Sequence, residues 1–253
     1  MNPIELASSI EERYQRYLKT TFYFRDPVLR DSFEQAMRDV GQLSKGPYLE
    51  ATPVFKRGLT APTLFQDLLG YAPHEGFLNS LYSGALYQHQ EDAIQRVFEG
   101  QNVVVATGTG SGKTEAFLYP ILLHLFQEFS RGELGAGVRA LILYPMNALA
   151  NDQRERLGEI CASLKKGNSP FQFTFGQYTG ETPENENDSY RNARSHIEGH
   201  YEGELVLRTE MRQSPPHILL TNYSMLEYLL LRPEDSELFD NGRAQKWKFL
   251  VLD

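Results

Sequence analysis

Apolar and polar positions follow two different rhythms along the chain, and the change falls near residue 86. Before it, Ile10, Tyr14, Tyr17 and Leu18 recur at helical spacing, as do Leu29, Phe33, Met37 and Val40. Asn2–Pro3 and Asp26–Pro27 stand where helix starts are expected, and Gly41 stands where the second helix would stop. The pattern predicts two N-terminal helices whose apolar stripes are packing faces. From Gly46 to Gly76, four prolines (47, 53, 62 and 73) surround a short helical pattern at Leu64–Leu69, which reads as a connecting wrap.

Beyond Leu86, short apolar runs alternate with longer amphipathic stretches. The runs predict strands near 102–106, 139–144, 172–178, 217–221 and 248–252, and the stretches predict helices around 90–99, 113–129, 147–165 and 222–231. Such alternation is the signature of an α/β fold, a parallel sheet with helices on both faces. The expected organisation is therefore a mainly helical N-terminal accessory region, 1–85, followed by the α/β domain, 86–253. Pro120 falls inside the 113–129 stretch, where it removes a backbone hydrogen bond and is expected to bend the helix. Glu181–Asp188 is polar and acidic and contains Pro183, so it reads as a solvated loop. No internal repeat is visible.

Composition narrows the class. With 253 residues, 41% of them hydrophobic, the chain can bury a real core. Cys161 is the only cysteine, so no disulfide framework is possible; with no secretion-type segment at the start, a reducing cytoplasm is expected. Cys161 itself is expected in the core. No apolar run approaches the roughly 18 residues that span a bilayer, because Pro145 and Asn147 break Ala140–Ala150. A membrane role is not indicated. The formal net charge of −8 argues against coating nucleic acid by bulk attraction, so any such contact must be local.

The candidate chemistry centres on Ala106-Thr107-Gly108-Thr109-Gly110-Ser111-Gly112-Lys113-Thr114, set between an apolar run at Asn102–Val105 and a helical stretch. Glycines here allow successive backbone N–H groups to converge on an anion at a helix N-terminus. Lys113 would reach the β- and γ-phosphates of a nucleotide, and the Thr114 hydroxyl suits a phosphate-bridging Mg2+. The strict pattern G-x-x-x-x-G-K-[ST] would require glycine at position 107, where this chain has threonine. His196 and His200, four apart, have zinc-ligand spacing, but Gly199 lies between them and no third ligand follows at a usable spacing, so a solvated segment is expected.

Upstream lies Tyr87-Gln88-His89-Gln90, with Gln90 23 residues before Lys113. With these residues in place the chain resembles the first motor domain of a superfamily 2 helicase of the DEAD/DEAH-box type. The resemblance covers residues 86–253. It implies a RecA-like sheet of the P-loop NTPase class, ATP and Mg2+ as cofactors, and nucleotide contacts from Tyr87, Gln90 and the loop Thr107–Thr114. Gln90 would read the adenine edge, an amide being suited to this by its paired donor and acceptor.

Nucleic-acid contacts are implied at Pro145 and Asn147, in Pro145-Met146-Asn147-Ala148-Leu149-Ala150-Asn151-Asp152-Gln153; many relatives have arginine at the position of Asn147. They are implied also at Thr179 and Gly180, in Tyr178-Thr179-Gly180-Glu181-Thr182, and at Thr221 and Asn222, in Thr221-Asn222-Tyr223-Ser224-Met225-Leu226. As isolated strings the last two read more readily as a turn and a helix cap; their ordered spacing along the chain reverses that preference. Phe249-Leu250-Val251-Leu252-Asp253 resembles the start of the family's motif II, whose Asp holds Mg2+ through water; Lys113, Thr114 and Asp253 would carry catalysis. The Glu that follows in the family, the second motor domain and its arginine finger lie outside the sequence, so the fragment alone is expected not to turn over ATP.

Leu143–Leu149 and Leu220–Leu229 are also similar to large bacterial helicases of anti-phage defence systems such as DISARM and Druantia. That implies DNA rather than RNA as track, and other subunits of a defence or repair complex as partners. Two alternatives remain: a translocase that moves on duplex without unwinding, and an ATP-binding module that regulates a partner.

Overall fold

The computed structural model describes residues 2–39, 41, 43–45, 54–108, 110–185, 199–239 and 247–253. The chain divides into two compact units, Met1–Val54 and Phe55–Asp253.

The first unit holds two helices, α1 (Pro3–Thr21) and α2 (Pro27–Arg38). Both start as expected: Asn2 accepts from the Ile4 N–H and Asp26 from those of Val28 and Leu29, each followed by a proline at the first helical position. Lys19 pairs with Glu34 at 2.8 Å, and Phe24 meets Phe33 edge to face. The packing-face reading needs correction. Met37 is buried, but Ile10, Tyr14, Tyr17 and Leu29 are exposed. Two short helices cannot enclose each other's apolar stripes, since periodicity marks an apolar face without supplying its cover.

The second unit begins with β1 (Arg57–Thr60), α3 (Ala61–Leu69), the single turn α4 (Glu75–Leu78) and β2 (Ala85–Tyr87), with β1 and β2 antiparallel. Then come α5 (Gln88–Phe98), α6 (Lys113–Ser130), β3 (Ala140–Tyr144), α7 (Asn147–Lys166) and β4 (Phe175–Gln177). The chain continues through β5 (Glu204–Leu205), α8 (Arg208–Gln213), β6 (Ile218–Asn222), α9 (Tyr223–Leu231), a 3-10 turn (Pro233–Leu238) and β7 (Phe249–Leu252). The five-stranded sheet has the order β5-β4-β6-β3-β7, and every pairing in it is parallel.

Strand alternation divides the core in two. Ala140, Ile142 and Tyr144 point with Ile218 and Leu220 into one cluster, filled by Ile94 of α5, Leu118, Ile121, Leu122 and Leu125 of α6, and Leu157 and Leu164 of α7. Leu141, Leu143 and Leu219 point the other way, onto Met211 of α8, Met225 and Leu229 of α9, and Leu238. Successive strand residues face opposite sides, so the central strands β3 and β6 are covered on both. The wrap is part of the first cluster: Leu64, Phe65, Phe77 and Leu81 are buried there, and Phe77 stacks on Phe126 with ring centroids 4.6 Å apart. Residues 55–85 thus share the core of the α/β domain. Cys161 is in that core, its thiol pushed up by burial.

α6 runs through Pro120, which is buried within it. Its apolar surroundings keep the helix continuous where propensity would end it.

Two strand expectations need correction. Residues 172–178 form a ladder only over Phe175–Gln177. Asn102–Val105 joins no sheet among the described residues, and Val104 is 93% exposed. β-branched residues suit a pleated surface, but a strand exists only where a partner accepts its backbone bonds. β7 ends the sheet, with Leu250 and Leu252 exposed.

Candidate nucleotide and nucleic-acid site

Parallel strands deliver their C-terminal ends to one edge of a sheet, the usual ligand edge of an open α/β fold. Tyr144 pairs with Asn222, Leu143 with Leu252, and Gln177 with Leu220. The segments at Pro145–Asn147, Tyr178–Gly180, Thr221–Asn222 and Asp253 therefore all leave the sheet at that edge. They come from positions scattered over more than a hundred residues.

The glycine-rich loop ends at α6, whose N-cap is Gly112. Gly110 and Gly112 take φ of 75° and 73°, a region that side chains disfavour. At Gly112 there is a second constraint: a Cβ would fall 2.4 Å from Gln90 Nε2 and 2.9 Å from Glu115 Oε2. Lys113 Nζ lies across the loop and donates to the carbonyls of Thr107 (3.1 Å) and Gly108 (3.2 Å). Thr107 and Ser111 share a hydroxyl bond of 2.6 Å, and His89 Nε2 lies 2.9 Å from the Ser111 carbonyl. Thr114 is half-buried in the first turn of α6, and Asp253 is exposed at the end of β7. Thr109 lies outside the described residues.

Gln90 is buried at the loop's flank. Its Oε1 accepts from the Tyr87 N–H at 2.7 Å; its Nε2 donates to the Gly112 carbonyl at 2.7 Å and to Glu115 Oε2 at 3.2 Å. Both amide hydrogens are therefore committed. Beside it is a cavity of about 210 Å³ lined by Arg57, Tyr82, Tyr87, Gln90, Gly110 and Glu115, among others. A larger hollow of about 390 Å³ follows the unladdered segment 102–107.

The residues expected at nucleic acid divide into two kinds. Thr179 and Thr221 are buried. The Thr221 hydroxyl donates to the Tyr178 carbonyl at 2.6 Å, so it braces two strand ends. The Thr179 hydroxyl accepts from the Glu181 N–H. Pro145 and Gly180 are exposed, while Asn147 and Asn222 are half-buried and bonded to each other. Asn222 also caps α9 by accepting from Met225 N–H, the role its string suggested.

Sequence reading missed what supports these groups. Arg208 lies over the Tyr178 ring and donates to the Thr179 carbonyl at 2.7 Å. Buried Asp235 accepts from the Tyr178 hydroxyl and from Arg212 Nε. Burial, then that bond to Asp235, pushes the Tyr178 phenol up. Burial works against the Arg212 charge, but its bonds to Glu184, Tyr178 and Asp235 outweigh this and hold the guanidinium above its usual value. Glu115 pairs with Arg156 of α7. Only Glu115 carried a signal in the sequence, as an acid next to the glycine-rich loop in the first turn of its helix. His196 lies outside the described residues, and among those described no group of three or more His, Cys, Asp or Glu is placed to hold a metal.

A parallel sheet with a glycine-rich loop at a helix N-terminus is the arrangement of a RecA-like motor domain. The DEAD-box helicase Mss116, solved bound to ssRNA and UDP-BeF, shares that fold over 79% of this chain and 42% of its own (TM-score 0.51, 18% identity). The chain belongs to the DEAD/DEAH box helicase family, whose model matches residues 87–253. It is 28% identical to the Druantia protein DruE of Escherichia coli (strain UMEA 4076-1), over 96% of this chain and 17% of that one. The helicase MrfA, solved bound to DNA and AMPPNP, superposes on 79% of this chain and 22% of its own (TM-score 0.52, 26% identity). The chain thus spans less than a quarter of the length of DruE and MrfA. No helix of the described residues is long and apolar enough to cross a membrane.

Proposed function

We propose that residues 86–253 are the nucleotide-binding part of the first motor domain of an ATP-dependent helicase or translocase that acts on DNA. The observation that carries this reading is the convergence on Gly112. The loop with Lys113 at a helix start and the polar edge of Gln90 both meet at that glycine. A triphosphate would displace the Thr107 and Gly108 carbonyls as partners of Lys113 and take up the loop N–H groups. Thr114 and Asp253 are the residues that would hold Mg2+. An oxygen-only pair fits a hard cation that completes its shell with phosphate oxygens and water. When bound, that cation neutralises charge on the phosphates being transferred.

Pro145, Asn147, Gly180 and Asn222 form the surface for a nucleic-acid backbone, with Thr179 and Thr221 holding its shape from below. DNA is favoured by MrfA, whose structure contains it. A place in a multi-subunit defence system is favoured by the likeness to DruE.

The test is nucleic-acid-stimulated phosphate release by the full-length protein. Lys113→Ala should abolish it, and wild-type turnover in that variant would overturn the assignment. Strand-displacement and triplex-displacement assays then separate unwinding from translocation.

A further inference from the structure

The Gln90 amide leaves one hydrogen-bonding valence open, and its chemical sense is set by Glu115. Nε2 carries two hydrogens. One goes to the Gly112 carbonyl and the other to Glu115 Oε2. On the other side, Oε1 uses one lone pair for the Tyr87 N–H. What Gln90 keeps for the cavity it lines is therefore an acceptor lone pair, in place of the donor and acceptor together that its amide offers in the sequence. Adenine carries an amino group at C6 that donates to such an acceptor. Guanine carries a carbonyl there that is repelled by it.

Glu115 is held for this task. Its other carboxylate oxygen is paired with Arg156 of α7. Its Oε2 packs against the loop so closely that a Cβ on Gly112 would strike both it and Gln90. A carboxylate in the first turn of a phosphate-binding helix otherwise repels the ligand, so the charge needs a partner and a purpose; Arg156 supplies the first and Gln90 the second.

We propose that Glu115 is a specificity-determining positioning residue: by occupying the second amide hydrogen of Gln90, it makes the base pocket select 6-aminopurines over 6-oxopurines. This rests on the nucleotide-site reading above and deepens it. Were Glu115 unable to accept, an N–H of Gln90 would be freed to meet the guanine carbonyl. The pocket would then take GTP as well.

The experiment measures kcat/KM for ATP and for GTP in the full-length protein with nucleic acid present, for Glu115→Met, Glu115→Gln and Gln90→Ala. Methionine matches the length of glutamate but has only a weak acceptor, whereas glutamine keeps a strong one. Both lose the charged pair with Arg156. Glu115→Met should lower the ATP/GTP preference about tenfold, the value of one hydrogen bond, chiefly through a lower KM for GTP. Glu115→Gln should keep most of it. In a Gln90→Ala background, Glu115→Met should change the ratio no further, because it acts through the amide.

Equal loss of preference in the Met and Gln variants would show that the pair with Arg156 matters only as structure, and would overturn the proposal. So would an unchanged ratio in Glu115→Met alongside a changed one in Gln90→Ala. An unchanged ratio in Gln90→Ala would instead overturn base reading by Gln90, and this proposal with it. Thermal unfolding of each variant identifies any that fails to fold; in that case Arg156→Lys, which keeps the charge beside Glu115, should retain the wild-type ratio. A lost preference there would count against the proposal.

Discussion

Asn222, at the end of β6, donates its side-chain amide to the Oδ1 of Asn147, at the start of α7, across 2.8 Å. The bond joins two strand-end segments 75 residues apart in sequence and sets both at the sheet edge where the nucleic-acid track is proposed. Asn222 is also the cap of α9, so a single side chain fixes two helix starts relative to one another.

If these uncharged amides face phosphates, Asn147→Ala and Asn222→Ala in the full-length protein should weaken binding about equally for unrelated DNA sequences. Neither releases counterions, so the slope of affinity against salt should change little. Fluorescence anisotropy on two duplexes and two single strands across a salt series checks this. Loss of preference for one sequence would mean that the amides read bases.

Gly110 and Gly112 share a positive φ but not their surroundings. A Cβ at Gly110 meets nothing within 4 Å, whereas one at Gly112 strikes Gln90 and Glu115. Gly110→Ala should cost about 1 kcal/mol of strain. Gly112→Ala should cost about 1–3 kcal/mol more and disturb base selectivity. Chemical denaturation of the two variants, read side by side, tests the difference.

Phe77, on the four-residue helix α4, is buried among Phe65, Phe126 and Phe171. Phe77→Ala should destabilise the α/β unit by about 3–5 kcal/mol, the usual cost of an unfilled aromatic site. A loss below about 1 kcal/mol in urea unfolding would show that residues 55–85 do not belong to this core.

His124, on α6, lies 3.2 Å from Glu128 and sets its ring edge against Phe249. Burial depresses its pKa below the ordinary 6.5, outweighing the opposite pull of Glu128, while Lys248 and Arg139 push the same way as burial. The folded chain therefore takes up this proton later than the unfolded one. Its contribution to stability is complete above pH 6.5 and is lost as pH falls from there through the folded value. In melting curves across that interval, His124→Gln should lose less stability than the wild type, and parallel curves would count against a buried neutral imidazole.

Local chemistry made much of this protein legible in its sequence. Asn2, Asp26 and the prolines after them start helices through bonds to their own neighbours, so α1 and α2 begin where the residues say. Alternating apolar runs announced a parallel sheet, and Gly110 and Gly112 announced a tight turn into the helix that starts at Lys113, because backbone freedom is a property of the residues themselves.

Tertiary structure decided which of those tendencies were realised. The valines of 103–105 have every propensity for a strand, yet among the described residues no strand pairs with them. Thr221 is coded like a surface contact but spends its hydroxyl on Tyr178 inside the fold. Glu115 and Arg156 are 41 residues apart, and nothing local relates them. Packing α6 against α7 brings them together, because burial, strand pairing and ion pairing depend on distances through space that the order of residues along the chain does not state.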